Sequence, residues 1–308
     1  MRAPEEIRAM LRGPVTSLHT PFLRDGAIDY ASLRGLIDRG IAAGSTTIML
    51  TYGNSLYSLL TEQEIADVTR AVVEHTAGRA VVVAADGVWW TGQTVAFARY
   101  AREAGADVLM VLPPDWAASC TADTFVAHYA AAAQEMPVMV VTNVFRRAPA
   151  LGLEVVRRLR DATPGVIAVK DDLGGVFARK LCLQVADQWA VISGGQKQNH
   201  FDQVHYGCHA WLSTLAPFAP EITRHYWQAV QAQDWAAAHR VVRDYDIPFF
   251  EFITGMEGGF DAAIHAIYEL TGLAQRWRRP PYHTATDAQL AQLADHLRNL
   301  GLGSSLTR

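Results

Sequence analysis

Eight short apolar runs, each followed by an amphipathic stretch, recur along the first 215 residues of this 308-residue chain and limit what it can fold into. The runs lie at 14–19 (PVTSLH), 46–50 (TTIML), 80–84 (AVVVA), 107–112 (DVLMVL), 137–141 (PVMVV), 165–170 (GVIAVK), 189–193 (WAVIS) and 210–213 (AWLS). Most are rich in Val and Ile and are continuous rather than alternating. Strands of a parallel sheet look like this, because helices cover both of its faces. The intervening segments carry helical spacing. Residues 30–43 put Leu33, Ile37 and Ile41 on one face. Residues 61–74 open with TEQE, so that Thr61 and Glu64 can form a capping box. Residues 91–103 run up to a stop at Gly105, 121–134 are Ala-rich, 153–160 are short, and 176–187 and 199–205 keep the rhythm.

Such alternation implies βαβ units, and eight of them close into a TIM barrel. An open doubly wound sheet would want a G-x-G-x-x-G turn after its first strand. The residues there are TPFLRDG. The expected architecture is therefore α/β: a (β/α)8 barrel over residues 1–218 and a C-terminal helical extension over 219–308. Within the extension, 221–233, 235–244, 249–270 and 287–300 read as helices, with Pro280 and Pro281 parting the last two.

Composition removes several function classes. Half of the residues are hydrophobic, so disorder is excluded for most of the length. Lys plus Arg number 27 against 31 Asp plus Glu, a net charge of −4, which argues against a nucleic-acid partner or an anionic membrane surface. Cys120, Cys182 and Cys208 are too scattered for a disulfide framework or a zinc spacing, and point to a reducing cytoplasm. The opening MRAPEEIRAMLRG lacks the apolar run of a signal peptide, and no stretch approaches the ~18 apolar residues of a membrane span. His200, His205 and His209 do not form an H-E-x-x-H pattern, so neither a metal nor another cofactor is expected. A metal-dependent lyase, sensitive to chelators, would need converging histidines.

In a TIM barrel, reactive groups come from the C-terminal ends of the strands and the loops that follow. Lys170 closes the apolar run GVIAVK. Turned into the barrel mouth and partly desolvated, its amine would be a nucleophile able to form a Schiff base with a ketone. Turned outward, it would be a solvated lysine paired with Asp171 or Asp172. Thr51, Tyr52, Gly53, Asn54 and Ser55 make a hydroxyl-rich turn ahead of a short helix, which suits a carboxylate or is simply a polar turn. Thr142, Arg146 and Arg147 follow the fifth strand over the same rim, where an arginine could clamp a carboxylate or stay solvated. Gly194 and Gly195 would let the backbone approach a substrate at the end of strand seven. Trp89, Trp90 and Trp116 would form an aromatic wall suited to a bulkier or more apolar substrate, or else pack loops and subunit contacts. Glu257 and Asp261, in the extension, receive no role.

TPF at 20–22, a G-x-S turn after strand two, N-V-x-x-R at 143–147 and V-K-D at 169–171 together resemble the dihydrodipicolinate synthase and N-acetylneuraminate lyase family. The similarity runs from about Arg12 into the C-terminal helices. The segments PEEIRAMLRG, LYSLLTEQE and AGADVLMVLPP resemble its sugar-acid dehydratase branch. The resemblance implies a class I lyase, aldolase or dehydratase, acting on a 2-oxo acid such as a pyruvate-derived or 2-keto-3-deoxy sugar-acid substrate, and a homotetramer. It places the Schiff-base lysine at Lys170, the carboxylate turn at Thr51 and Tyr52 with Gly53 and Asn54 in support, and the rim arginine at Arg147. Three departures stand out. Thr142 occupies the place of the family's proton-shuttling tyrosine. The turn reads Leu50-Thr51-Tyr52-Gly53-Asn54 instead of G-T-T-G-E. Pro114-Asp115-Trp116 replaces a tyrosine that reaches a neighbouring subunit. These departures argue against lysine biosynthesis and leave Tyr52 to take the proton-transfer role or merely fill space. The alternative is an altered member that binds a 2-oxo acid without turnover.

Overall fold

A computed structural model describes residues 2–307. Its eight strands are β1 (Gly13–Ser17), β2 (Thr47–Met49), β3 (Val81–Ala85), β4 (Val108–Val111), β5 (Val138–Val141), β6 (Val166–Asp171), β7 (Ala190–Ser193) and β8 (Cys208–Leu212). They pair in parallel in chain order and close through β8 and β1, where Val15 stands beside Leu212. Each strand lies within two residues of an apolar run read from the sequence. Every residue of β1–β7 is buried, and in β8 only His209 is exposed. Inward side chains fill the barrel and outward ones meet helices, so neither face tolerates a polar alternation.

The helix α1 (Pro4–Met10) precedes the barrel. The ring consists of α2 (Tyr30–Ala42), α3 (Glu62–Thr76), α4 (Thr91–Ala104), α5 (Ala122–Ala133), α6 (Pro149–Ala162), α7 (Gly175–Val185), α8 (Gln196–Gln203) and α9 (Pro220–Gln231). The Thr61–Glu64 capping box is formed. On α2 the buried stripe is Leu33, Leu36, Ile37 and Gly40, and Ile41, partly buried, packs against the same core. A Cβ at Gly40 would sit 2.4 Å from Thr16 Oγ1, so the glycine lets this helix lie close on β1. α6 starts four residues earlier than the spacing predicts, at a proline whose fixed φ suits a first helical position. α9 packs on β1 and completes the eighth βα unit, which puts the start of the extension proper beyond it rather than at 219.

The extension comprises α10 (Trp235–Val241), a wider π turn at Val242–Asp246, α11 (Ile247–Gly255), α12 (Gly259–Leu270) and α13 (Asp287–Asn299). The single helix expected over 249–270 is broken at 256–258. Met256 turns extended there, which ends α11, and Gly258, at a left-handed φ of +81°, caps the start of α12. Two buried polar contacts fasten this unit to the barrel. Lys197 Nζ of α8 lies 3.1 Å from Asp246 Oδ1, with both side chains fully buried, and Gln198 N–H donates to Asp246 Oδ2. Beyond β1, buried His19 places Nδ1 3.3 Å from the Tyr268 hydroxyl of α12. Burial pushes the His19 pKa down to about 3, so this imidazole is neutral and its neighbour Asp261 is no ion-pair partner. Among the described residues, no helix is long and apolar enough to cross a membrane.

Removing one member of a buried pair leaves an uncompensated charge. Lys197→Met should therefore lower stability by about 3–5 kcal/mol, and adding Asp246→Asn should recover most of that loss. Urea unfolding midpoints check this; a single variant within about 0.5 kcal/mol of the parent would show that the pair does not fasten the extension.

Candidate active site

A cavity of about 430 Å³ opens at the C-terminal ends of the strands. Thr51–Asn54 after β2 and Asp86 after β3 form one side, and Asn143 and Arg146 after β5 another. Lys170 and Asp172 of β6 and its loop face Gly194, Gly195 and Gln196 after β7. Met110, Leu112, Val141 and Leu212 add apolar surface, as do Phe250 and Phe260 of the extension.

Lys170 lies on the inward face of β6 and is 7% exposed. Its Nζ faces the cavity and is paired with Asp172 Oδ1, whose carboxylate lines the same space. The two sequence readings are thus each half met: the amine points inward, and it carries an aspartate. The pair needs Gly194. A Cβ there would lie 1.8 Å from Asp172 Oδ1 and 2.9 Å from Lys170 Nζ, so the missing side chain makes room for them.

Thr142 is fully buried and does not line the cavity. Its hydroxyl donates to Asp171 Oδ1 (2.9 Å) and accepts from the Asp172 N–H (2.8 Å). Asp171 also accepts from the N–H groups of Leu173 and Gly174. Thr142 therefore fixes the loop that carries Asp172, and the catalytic placement expected for it is corrected to a positioning one. The physical reason is that its one O–H donor is committed to Asp171 and its side chain, fully buried, does not line the cavity.

The turn after β2 is tied down from within. Thr51 N–H donates to Ser55 Oγ (3.0 Å), Asn54 N–H to Thr51 Oγ1 (2.9 Å) and Asn54 Nδ2 to Ser17 Oγ (3.0 Å). Ser55 Oγ in turn donates to the Leu18 carbonyl, and Thr20 of the TPF segment to that of Ser55. Among the described residues, the N–H groups of Tyr52 and Gly53 have no partner, and both residues line the cavity. Two unpartnered N–H groups and the Thr51 hydroxyl are thus three donors on consecutive residues that line the cavity.

Other expectations shift. Arg147 does not reach this cavity; it lines a neighbouring one with Trp116 and Cys120, and Arg146 takes the place at the mouth. Arg146 Nη2 donates to the Asp172 carbonyl (3.1 Å). None of the three tryptophans lines the mouth: Trp89 packs edge-on against Phe97 at 5.1 Å, while Trp90 and Trp116 are 69% and 89% exposed. The aromatic surface comes instead from Phe250 and Phe260, whose distance in sequence hid them. His200 is buried with Nδ1 2.8 Å from the Tyr226 hydroxyl, His205 stacks edge-on against Trp235, and the described residues contain no cluster able to hold a metal.

In the sequence Asp86 is one acid in the loop ADGVWWTG, and no pattern there marks it. Burial, the largest influence, pushes its carboxyl up to about 7, against the opposing pull of the Leu112 N–H, the Thr94 hydroxyl and the Val88 N–H. The mouth thus holds a carboxyl that changes charge near neutrality.

Comparison with known proteins adds the following. Residues 10–300 match the profile of the Dihydrodipicolinate synthetase family. A protein named probable 5-dehydro-4-deoxyglucarate dehydratase 1 from Streptomyces coelicolor is 28% identical over 289 residues, covering 91% of this chain and 90% of that protein. The 4-hydroxy-tetrahydrodipicolinate synthase of Psychrobacter arcticus is 28% identical over 241 residues, 78% of this chain and 79% of the relative. In fold, the chain is similar to YagE of E. coli K12, a prophage protein of the dihydrodipicolinic acid synthase family solved in complex with pyruvate (TM-score 0.83, 23% identity, 94% of this chain and 99% of that one).

The raised carboxyl sets a pH dependence of stability. Between its ordinary value of 3.8 and about 7, the folded chain holds a proton on Asp86 that the unfolded chain has released. The native state then binds more protons, so this group's contribution to stability falls as pH rises through that window. Asp86→Asn should remove that part of the slope and gain on the parent above neutrality, at about 1.4 kcal/mol per pH unit of the window. Urea midpoints at about pH 5 and about pH 8 read it, and the same parent-minus-variant difference at both would contradict it.

Proposed function

This chain belongs to the dihydrodipicolinate synthetase family, and from that premise we propose that it is a class I lyase, an aldolase or dehydratase that acts on a 2-oxo acid through a Schiff base at Lys170. One observation carries this reading: Lys170 lines one cavity together with Tyr52 and Gly53, whose backbone N–H groups have no partner among the described residues. A 2-oxo acid has the matching pair of functions on adjacent carbons. Its carboxylate would rest on the N–H groups of Tyr52 and Gly53 and the Thr51 hydroxyl, and its keto carbon would face Lys170.

The imine is an electron sink for cleavage of a C–C or C–O bond. Asn143 and Arg146 offer polar contacts to the far end of the substrate, and Phe250 and Phe260 an apolar cover that excludes water. Relatives named as dehydratases of 5-dehydro-4-deoxyglucarate, and a pyruvate-bound structural neighbour, support the substrate class. The family likeness further supports a cytoplasmic homotetramer needing no cofactor.

A second reading, a protein that binds a 2-oxo acid without turnover, is favoured by one feature: Lys170 already holds a carboxylate partner. The two separate on treatment with pyruvate and borohydride. The lyase should gain one reduced pyruvyl group on Lys170, and Lys170→Ala should gain none; absence of an adduct with pyruvate and with longer 2-oxo acids would rule the lyase out. Tyr52→Phe should lower turnover by about 10²–10⁴-fold, the usual loss of a general acid, while Lys170 is still trapped. Unchanged turnover would leave Tyr52 as a wall residue.

A further inference from the structure

We propose that Asp172 is the catalytic group that carries protons to and from the Lys170 nitrogen. This rests on Lys170 being the nucleophile, as proposed above. Imine formation moves protons several times at one nitrogen and one oxygen, and a side chain must be in contact with them to do so. Among the described residues, Asp172 is the hydrogen-bonding partner of Lys170 Nζ. The other carboxyl of the mouth, Asp86, has its oxygens taken up by Leu112, Val88 and Thr94. Thr142 is spent on Asp171 and on the Asp172 backbone.

Asp172 is also held for the task from several sides. Thr142 grips its N–H, Arg146 its carbonyl, and Gly194 vacates the space its Oδ1 fills. The carboxylate stays half-buried and open to the cavity. A fixed partner on one side and the substrate space on the other is the geometry a proton shuttle requires.

Asp172 takes one proton from the Lys170 ammonium, giving an amine and a carboxylic acid. The amine lone pair adds to the keto carbon while the carbonyl π pair moves to oxygen, which takes the proton from Asp172. The nitrogen, now bonded to carbon and bearing two protons, returns one to the carboxylate. Asp172 then passes that proton to the new hydroxyl, which leaves as water as the nitrogen lone pair forms the C=N bond. The product is a protonated imine beside an ionised Asp172, and nothing is oxidised or reduced.

The test measures the rate at which Lys170 is labelled by pyruvate under excess borohydride, in the parent, Asp172→Asn and Asp172→Ala, with folding checked by thermal melts. Asp172→Asn keeps the shape but cannot carry a proton, and should slow labelling by about 100-fold or more. Added formate should restore labelling in Asp172→Ala in proportion to its concentration, which a purely structural role would not allow. Labelling of Asp172→Asn at the parent rate or faster overturns the inference while leaving Lys170 as the nucleophile, as does an Asp172→Ala variant that formate cannot rescue. A parent that is never labelled overturns both.

Discussion

An amine and a carboxylate held against each other at the end of β6 are the interaction on which the site depends. Lys170 is 7% exposed, and a charge so enclosed requires a partner. Asp172 supplies it without leaving the cavity, because a glycine stands at 194 and a threonine at 142. Each neighbour does a job that its own side chain or lack of one dictates. The pair is therefore a product of three strands: β5 contributes the anchor, β6 the pair and β7 the room.

The barrel explains why these groups meet at all. Parallel strands deliver their C-terminal ends to one rim, so residues more than 100 positions apart, such as Tyr52 and Lys170, line one cavity. The extension contributes by closing that rim. Its attachment through the buried Lys197–Asp246 contact helps to hold α11 and α12, and with them the two phenylalanines that line the cavity. Fold stability and the environment of the site are linked through that fastening.

The barrel could be read from the sequence because continuous Val- and Ile-rich runs can be buried only between two layers, and eight of them leave few other arrangements. Local capping signals such as Thr61 with Glu64 were equally plain. The place of Lys170 at the end of an apolar strand was plain, but its inward or outward direction and the identity of its partner were both left open. Whether Asp171 or Asp172 pairs with it depends on the loop conformation after β6, which Thr142 and Gly174 set through contacts distant in sequence or through backbone hydrogen bonds. The choice between Arg146 and Arg147 depended in the same way on one turn of backbone. Asp86 was invisible because its character comes from burial and not from its neighbours in sequence. The break at 256–258 escaped because buried apolar residues resume on its far side, from Phe249–Ile253 in α11 to Ala262–Tyr268 in α12.

A crystal structure of the borohydride-reduced complex with pyruvate tests whether the Lys170 amine meets the keto carbon of a 2-oxo acid whose carboxylate sits on the Tyr52 and Gly53 N–H groups. Continuous density is expected from Lys170 Nζ to the pyruvyl carbon, with the carboxylate in hydrogen-bond range of both N–H groups and Asp172 beside the new C–N bond. Pyruvate bound elsewhere, or bound in the mouth with Lys170 unmodified and still paired with Asp172, would contradict it.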